Sequence, residues 1–419
     1  MQLRTKLRLR RIAVWLCRFI VGAAFIISGW AKSIDPRGFI IKVNEYLSAW
    51  DFSLPVEVVF TACVALSCVE FIVGLLLFTG SLKRSSAIIA TAIMAFMLPL
   101  TLYIAIKNPV SDCGCFGDFI VLSNWATFFK NVAIVAMSVY LLKVNHTIKG
   151  IFAPPVQWLT IIVSVVFVLY IVLVGYNVQP LVDFRPYKLG TVLFDEDAMS
   201  QETIEYYIYE KNGHRERFTL SDMPDTTWTF IDVVEDGGVG PIAGFDVHDS
   251  DGYDVTEELS TMYGAVLYLI VPNPDVQFLS RAHYVNRLYE YARAHGVKMI
   301  GIAGTDGTTL EKWTELTRPQ FEVFSAEDTA LKQLVRGDAA LVYTYDGAIK
   351  WKRTLSSMKS TLPEDTTPGN ALDGVRPVDD GKIHTLVVCL YLFSLAIIYM
   401  LSLSPKILSF FVRLAKKNN

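Results

Sequence analysis

Two cysteines separated by one glycine, in the stretch Asn108-Pro-Val-Ser-Asp-Cys113-Gly-Cys115-Phe-Gly-Asp118, are the residues of this chain best suited to chemistry. Their Cα atoms can approach within the ~4.4–6.8 Å window of a disulfide, and the intervening glycine permits the backbone distortion this needs. So tight a ring is strained and more easily reduced than a structural crosslink. The chemistry to expect is a reversible dithiol, one cysteine attacking a partner's disulfide and the other resolving, with the order of roles open. A static loop-tying bridge, or two thiols at a helix end, is the plainer alternative. A soft-metal site for Cu(I) is disfavoured, because no His or Met lies near the pair in sequence.

Three further residues, Glu70, Lys32 and Asp118, are candidates for proton transfer or support. Glu70 falls in the middle of a long apolar segment, where a carboxylate reads as functional by default. It could move protons coupled to quinone or thiol redox, or bond to a neighbouring helix. Counting along the helix puts it ~20 Å from the outer end, away from Cys113. Lys32, at the end of the first apolar segment, is expected to snorkel to the interface or to pair with Asp35 or Asp118. Cys63 and Cys68 are spaced by five, ~8 Å apart along a helix axis, too far to pair with each other. They read as small buried hydrophobes, although Cys63 lies near enough to the outer face to meet the pair after a shift. Cys17 and Cys389 read as packing, and Trp228 and His283 as core.

The elements that must position these groups are mostly membrane helices. Of the 419 residues, 52% are hydrophobic and only 19% charged, apolar and charge-poor against a soluble domain. No basic groove with interleaved aromatics appears, which argues against a nucleic-acid partner. A spanning helix needs ~20 mostly apolar residues. Segments of that kind run over Ile12–Ala31, Val56–Thr79, Ser85–Ile106, Trp125–Leu142, Val156–Tyr176 and His384–Leu403, with Pro99 expected to kink the third. The first is read as a retained span rather than a cleaved signal, since no small-x-small site follows it. Lys and Arg collect in the N-terminal run, at Lys83-Arg84, at Lys143 and Lys149, and in the tail at Lys406, Arg413, Lys416 and Lys417. Asp35, Glu45, Asp51, Asp112 and Asp118 lie in the other connections. The positive-inside rule then puts both termini inside, and the cysteine turn and the segment from Asn177 to Lys382 outside. In a bacterium this is a multi-pass inner-membrane protein with a large periplasmic domain, on the side where disulfides persist.

The outward segment changes character. Up to about Pro241 it is hard to assign beyond strands over Phe218–Val234 around Trp228. From Phe245 to Thr256 it reads as strand, turn at Asp251-Gly252 and strand. Gly264–Val271 and Val297–Ala303 are apolar runs fit for buried parallel strands. Asp275–His295, Leu310–Leu316 and Ala330–Val335 have helical spacing, and Phe321–Phe324 is a brief strand. Ala339–Tyr345, Asp346-Gly347 and Ala348–Trp351 make a hairpin on a primed turn.

Two resemblances follow from these residues. With Arg18, Gly22, Gly29 and Lys32 in the first helix, Glu70 and Gly74 in the second, and Cys113-Gly-Cys-Phe-Gly117, residues 12–142 resemble the DoxX-like superfamily and within it the methylamine-utilisation MauE family. The resemblance implies a four-helix membrane unit that handles redox or disulfides of exported proteins; a methylamine role is not carried with it. Residues 245–355 look like the thioredoxin/peroxiredoxin fold. They depart from it where redox cysteines belong, at Val271-Pro-Asn-Pro-Asp-Val276, and where a proline belongs, at Gly337-Asp-Ala-Ala340. That makes the domain a degenerate thioredoxin-like docking module.

The expected fold class is therefore membrane α-helical: a DoxX/MauE-like bundle over 12–142, a fifth span over 156–176, a strand-rich connector over 177–244, the thioredoxin-like domain over 245–355, a linker over 356–383 and a sixth span over 384–403. The expected function is thiol–disulfide exchange or electron relay through Cys113 and Cys115, in a setting of membrane lipid and envelope thiol or disulfide clients. A quinone stays open, and so does the oligomeric state. A non-catalytic envelope scaffold is the rival, and solute transport through the bundle a third option.

Overall fold

The computed structural model describes residues 2–107, 113–144, 149–194, 204–211, 214–218, 224, 227–236, 245–274, 279–304, 307–358 and 380–417. Chain contacts divide it into two units, Met1–Val182 with Val378–Asn419, and Asp183–Pro377.

The first unit is helical: α1 (Gln2–Ile34), α2 (Pro36–Ala49), α3 (Val56–Thr79), α4 (Lys83–Lys107), α5 (Asn124–Val144), α6 (Gln157–Asn177) and, much later in the chain, α11 (Asp380–Lys417). Among the described residues six helices are long and apolar enough to cross a membrane: Arg8–Ile34, Val56–Thr79, Lys83–Lys107, Asn124–Val144, Pro154–Asn177 and Gly381–Leu403. This is a multi-pass membrane protein.

In lipid there is little hydrophobic drive between helices, so close backbone contact must hold them. The α1–α3 pair is built that way. A Cβ at Gly29 would lie 2.5 Å from the Phe71 nitrogen, and one at Gly74 would lie 2.5 Å from the Ile26 nitrogen. At the far end of the pair the buried Arg18 donates from Nε to the Leu77 carbonyl at 3.2 Å, next to the C-terminal cap of α3. A cation is favoured there by the helix dipole. Pro99 lies inside a continuous α4. Helix α11 is seated on α6 by the stacked rings of Phe167 and Tyr391, 4.1 Å between centroids, and by a 2.9 Å hydrogen bond between Ser164 and the Tyr391 hydroxyl.

Helix α2, absent from the sequence reading, is a short amphipathic helix after the first span. Pro36 starts it, and the Asp35 side chain caps it by accepting from the Gly38 amide at 2.8 Å. Its Ile40 packs on Val59 and Cys63 of α3.

The second unit carries two sheets. β1 (Ile204–Lys211), β2 (His214–Phe218) and β3 (Thr229–Asp236) form an antiparallel sheet in the order β2-β1-β3. Trp228, partly buried, stands edge-on to Phe218 at 5.2 Å. The larger sheet has the order β4-β7-β6-β5-β8-β9, from β4 (Val247–His248), β5 (Ala265–Val271), β6 (Lys298–Gly304), β7 (Val323–Ala326), β8 (Ala340–Tyr345) and β9 (Ala348–Thr354). Between them lie α7 (Thr256–Ser260), α8 (Leu279–Ala294), α9 (Gly307–Thr317) and α10 (Asp328–Leu334). β5 is parallel to β6 and antiparallel to β8. Its side chains alternate between two cores: Val266, Tyr268 and Ile270 join Leu331 and Leu334 of α10, while Leu267, Leu269 and Val271 join Val285 and Leu288 of α8. That is why the strand is apolar throughout. At the β8–β9 turn Asp346 and Gly347 both have positive φ, 48° and 72°, as a primed turn requires.

The hairpin expected over Phe245–Thr256 survives only as a short antiparallel return, with the Asp249 amide on the Tyr253 carbonyl at 2.9 Å and the Val255 amide on the Val247 carbonyl at 2.8 Å. β4 has only two residues, which pair with Ser325 and Ala326 of β7. The return is a single bridge between His248 and Asp254. The Asp249 carboxylate accepts from the amides of Asp251 and Tyr253, at 2.9 and 2.8 Å, so the chain curls instead of extending. His283 is exposed on α8 rather than in a core. The segment 275–278 and most of the expected linker, 359–379, lie outside the described residues.

One polar cluster ties the start of this unit to its sheet. The Lys352 ammonium of β9 is buried and bonds to Asp183 and to the carbonyls of Tyr187, at 2.6 Å, and Leu334, at 3.0 Å. Arg185 pairs with the same Asp183 at 2.7 Å. Burial, with Arg185 nearby, holds the Lys352 ammonium down to about 8 despite that carboxylate.

Candidate functional site

Residues 113–123, ahead of α5, bring the cysteines against four helices, α1, α2, α4 and α5. Gly114 sits at φ +64°, a left-handed conformation costly for any residue with a Cβ. Asparagine 108 to Asp112, the first part of the motif, lies outside the described residues. Beyond the cysteines the chain closes on itself through the Gly117 amide, which bonds to the Gly114 carbonyl at 3.1 Å, and continues into the 3₁₀ turn Gly117–Phe119.

Each cysteine carbonyl is held from a different helix. The Tyr46 hydroxyl of α2 donates to the Cys113 carbonyl at 2.9 Å. Ser28 of α1 donates to the Cys115 carbonyl at 2.6 Å. The Lys42 stem of α2 lies over Gly114, 3.4 Å from where a Cβ would stand. Cys113 is buried with Ile104 of α4, against Tyr46 and Cys115.

Under the turn is a buried ion pair. Lys32 Nζ reaches both Glu70 carboxylate oxygens at 2.7 Å, and neither side chain is more than 7% exposed. Ser28 Oγ stands 2.8 Å from Glu70 Oε2 and accepts from Lys32 at 3.1 Å. A hydroxyl has one proton, so Ser28 shares it between the carboxylate and the Cys115 carbonyl and links the acid to the turn. Lys130 of α5 stands over the Phe116 ring, 4.1 Å from its centroid. Ser28, Lys32, Glu70, Cys115, Lys130 and Asn131 share one cavity of about 40 Å³. That is room for one or two waters, while an apolar site for an aromatic ring needs on the order of 150 Å³. A quinone ring does not fit this cavity as it stands.

Both sulfurs are free thiols. The neighbouring Cys115 sulfur and burial both push the Cys113 thiol up, so it resists losing its proton. The neighbouring Cys113 thiol, with Lys130 and Lys32, outweighs burial and Glu70 and holds the Cys115 thiol below its ordinary value.

The structure corrects two expectations. Lys32 neither snorkels nor pairs with Asp35 or Asp118. It is buried on Glu70, while Asp35 caps α2 and Asp118 is exposed on the 3₁₀ turn. Glu70 is not remote from the turn. The first turns of α3 run past the end of α1 and pack on α2, where Val59 and Cys63 meet Ile40. Distance counted from the start of α3 therefore overstates the depth of Glu70. Cys63 belongs to that α2 cluster, away from Cys113, and Cys68 and Cys17 are partly buried among apolar neighbours. Cys389 is exposed and does not serve as packing.

Sequence reasoning missed Ser28, Tyr46 and Lys130. Of these only Lys130 carried a signal, a lysine two turns into an apolar helix next to the cysteine motif.

Comparison with known proteins adds the following. A solved structure, the crystal structure of an uncharacterised conserved protein from Geobacillus kaustophilus, is 17% identical, with 35% of this chain and 78% of that chain covered, at a TM-score of 0.23. Among curated proteins none matches the chain. Residues 206–236, which include most of β1 and β3, match a domain family of unknown function, DUF8463. Residues 10–143, from α1 through nearly all of α5, match the family described as methylamine utilisation protein MauE, so the membrane part that holds the cysteine turn is MauE-like.

Proposed function

We propose that Cys113 and Cys115 form a reversible dithiol that exchanges electrons with the cysteines of exported proteins. The turn would lie on the outer side of a bacterial inner membrane, with both termini in the cytoplasm. The observation that carries this reading is the pair itself: two free thiols one residue apart about a left-handed glycine, with each carbonyl fixed by a different helix. A merely structural pair would need neither the cavity nor the buried Lys32–Glu70 pair beneath it, since burying ions is costly unless they serve something.

The sheet-containing unit is read as a thioredoxin-like docking module. Two adjacent parallel strands, β5 and β6, flanked by the antiparallel β8–β9 hairpin support this reading. No cysteine occurs between residues 183 and 377, so the module would hold a client and leave the redox step to the turn. The bacterial envelope supplies the clients, and lipid surrounds the bundle.

The test replaces both turn cysteines by serine in cells and follows the thiol state of the envelope proteome by differential alkylation. The reading requires a defined set of envelope proteins to change oxidation state. An envelope proteome identical to wild type refutes it.

A further inference from the structure

The two sulfurs of the turn are not equivalent. Cys115 lines the cavity that holds Ser28, Lys32, Glu70 and Lys130, whereas Cys113 does not. Lys130 and both cysteines line a second, smaller cavity beside the first. Within the larger cavity the two lysines face a single carboxylate, and among the described residues Lys130 has no carboxylate partner. Lys130 is half-buried over the Phe116 ring, where its charge is screened less than in open water, so the site favours one further negative charge. Cys115 is the group there able to supply it.

Resting on the thiol–disulfide reading above, we propose that Cys115 is the attacking sulfur and Cys113 the resolving one, and that Lys130 is the positioning residue that fixes this order. The remaining polar groups about the turn do not compete. Lys42 is paired with Glu45 at 3.1 Å and packs its stem on Gly114. Tyr46 is spent on the Cys113 carbonyl, Asp118 is exposed, and Glu70 is held by Lys32. The electrostatics of the pair agree: Cys113 is pushed up and Cys115 down.

The step balances with a client disulfide as oxidant. The Cys115 thiolate forms a bond to one client sulfur, the client S–S bond breaks, and its second sulfur leaves as a thiolate that takes up the proton Cys115 had released. Cys113 then loses its proton and bonds to the Cys115 sulfur. The mixed disulfide breaks, and the first client sulfur leaves as a thiolate that takes up that second proton. The turn has lost two electrons and two protons, and the client has gained them. Reduction of a turn disulfide by a client dithiol is the same path reversed.

The experiment uses the full chain in native membranes, with serine at one turn position at a time so that a hydroxyl donor remains. Removing the resolving sulfur strands the mixed disulfide, so Cys113→Ser must accumulate acid-trapped adducts on Cys115 while Cys115→Ser accumulates none. In the Cys113→Ser background, iodoacetamide labelling of Cys115, read by mass spectrometry across pH 5–10, must show a midpoint below that of a free thiol. Lys130→Met must move that midpoint up by at least about one unit, roughly tenfold slower labelling at a pH well below both midpoints, and Lys130→Arg must restore it. Adducts on Cys113 alone, in Cys115→Ser, overturn the order of roles and leave thiol exchange standing. No adduct in either variant overturns both. An unmoved midpoint in Lys130→Met overturns the part given to Lys130.

Discussion

Breaking the Lys32–Glu70 pair one side at a time should cost far more than removing it whole. At 2.7 Å and an effective dielectric of ~20, the attraction is on the order of 6 kcal/mol before desolvation. Lys32→Met leaves Glu70 buried with Ser28 as its hydrogen-bond partner and Lys130 across the cavity, and Glu70→Met leaves Lys32 with Ser28 and the Phe39 ring. Removing one partner of a buried pair costs about 3–5 kcal/mol, because the other charge stays uncompensated. The double variant removes both charges and replaces them with flexible apolar side chains of similar length. It should fall within about 1–2 kcal/mol of wild type, the usual result when a buried pair becomes hydrophobic. Unfolding of the purified chain in mixed SDS–detergent micelles, followed by tryptophan fluorescence, would give all four corners of the cycle. A single variant no less stable than the double refutes the argument. So does a Lys32→Met cost under about 0.5 kcal/mol, which is what an interfacial snorkelling lysine would show.

Other outcomes follow from particular contacts. Tyr46→Phe removes the donor to the Cys113 carbonyl and should cost about 1 kcal/mol, with faster labelling of Cys113 by a membrane-impermeant maleimide. Gly114→Ala places a Cβ at φ +64° and should cost about 1–2 kcal/mol, measured by the same micelle titration. In the sheet unit, Lys352→Met leaves Asp183 paired with Arg185 but strips the Tyr187 and Leu334 carbonyls of their donor, and should lower the unfolding free energy by roughly 1–3 kcal/mol. The Lys352 ammonium titrates near 8 in the fold against 10.5 for a free lysine. The unfolded chain therefore binds more protons across that window, and wild type should gain on Lys352→Met as pH rises through it.

The spans, the cysteine turn and the Asp346-Gly347 hairpin were legible because each is written in consecutive residues: an apolar run, a Cys-Gly-Cys spacing, a turn dipeptide. The Lys32–Glu70 pair was not, since its partners stand 38 residues apart on different helices. Only the close passage of α1 and α3 at Gly29 and Gly74 brings them together. Glu70 drew attention as an intramembrane acid, but its depth depended on where α1 ends beside α3, which no count along one helix reveals. Helix α2 escaped notice because its amphipathic stretch is too short and too charged to read as a span. With it went Tyr46, whose contact lies 67 residues away. The Asp183–Lys352 tie, across 169 residues, is likewise a product of the sheet.

The central claim, that the two turn sulfurs cycle, is tested most directly by a gel-shift assay on membranes from cells expressing the full chain. Membranes are given a pulse of oxidant or of reductant, quenched in acid, and labelled with a maleimide that adds mass for each free thiol. Cycling predicts that Cys113 and Cys115 gain and lose two labels together as the pulse changes, while the other four cysteines keep theirs. A pair whose labelling is the same after either pulse contradicts the account.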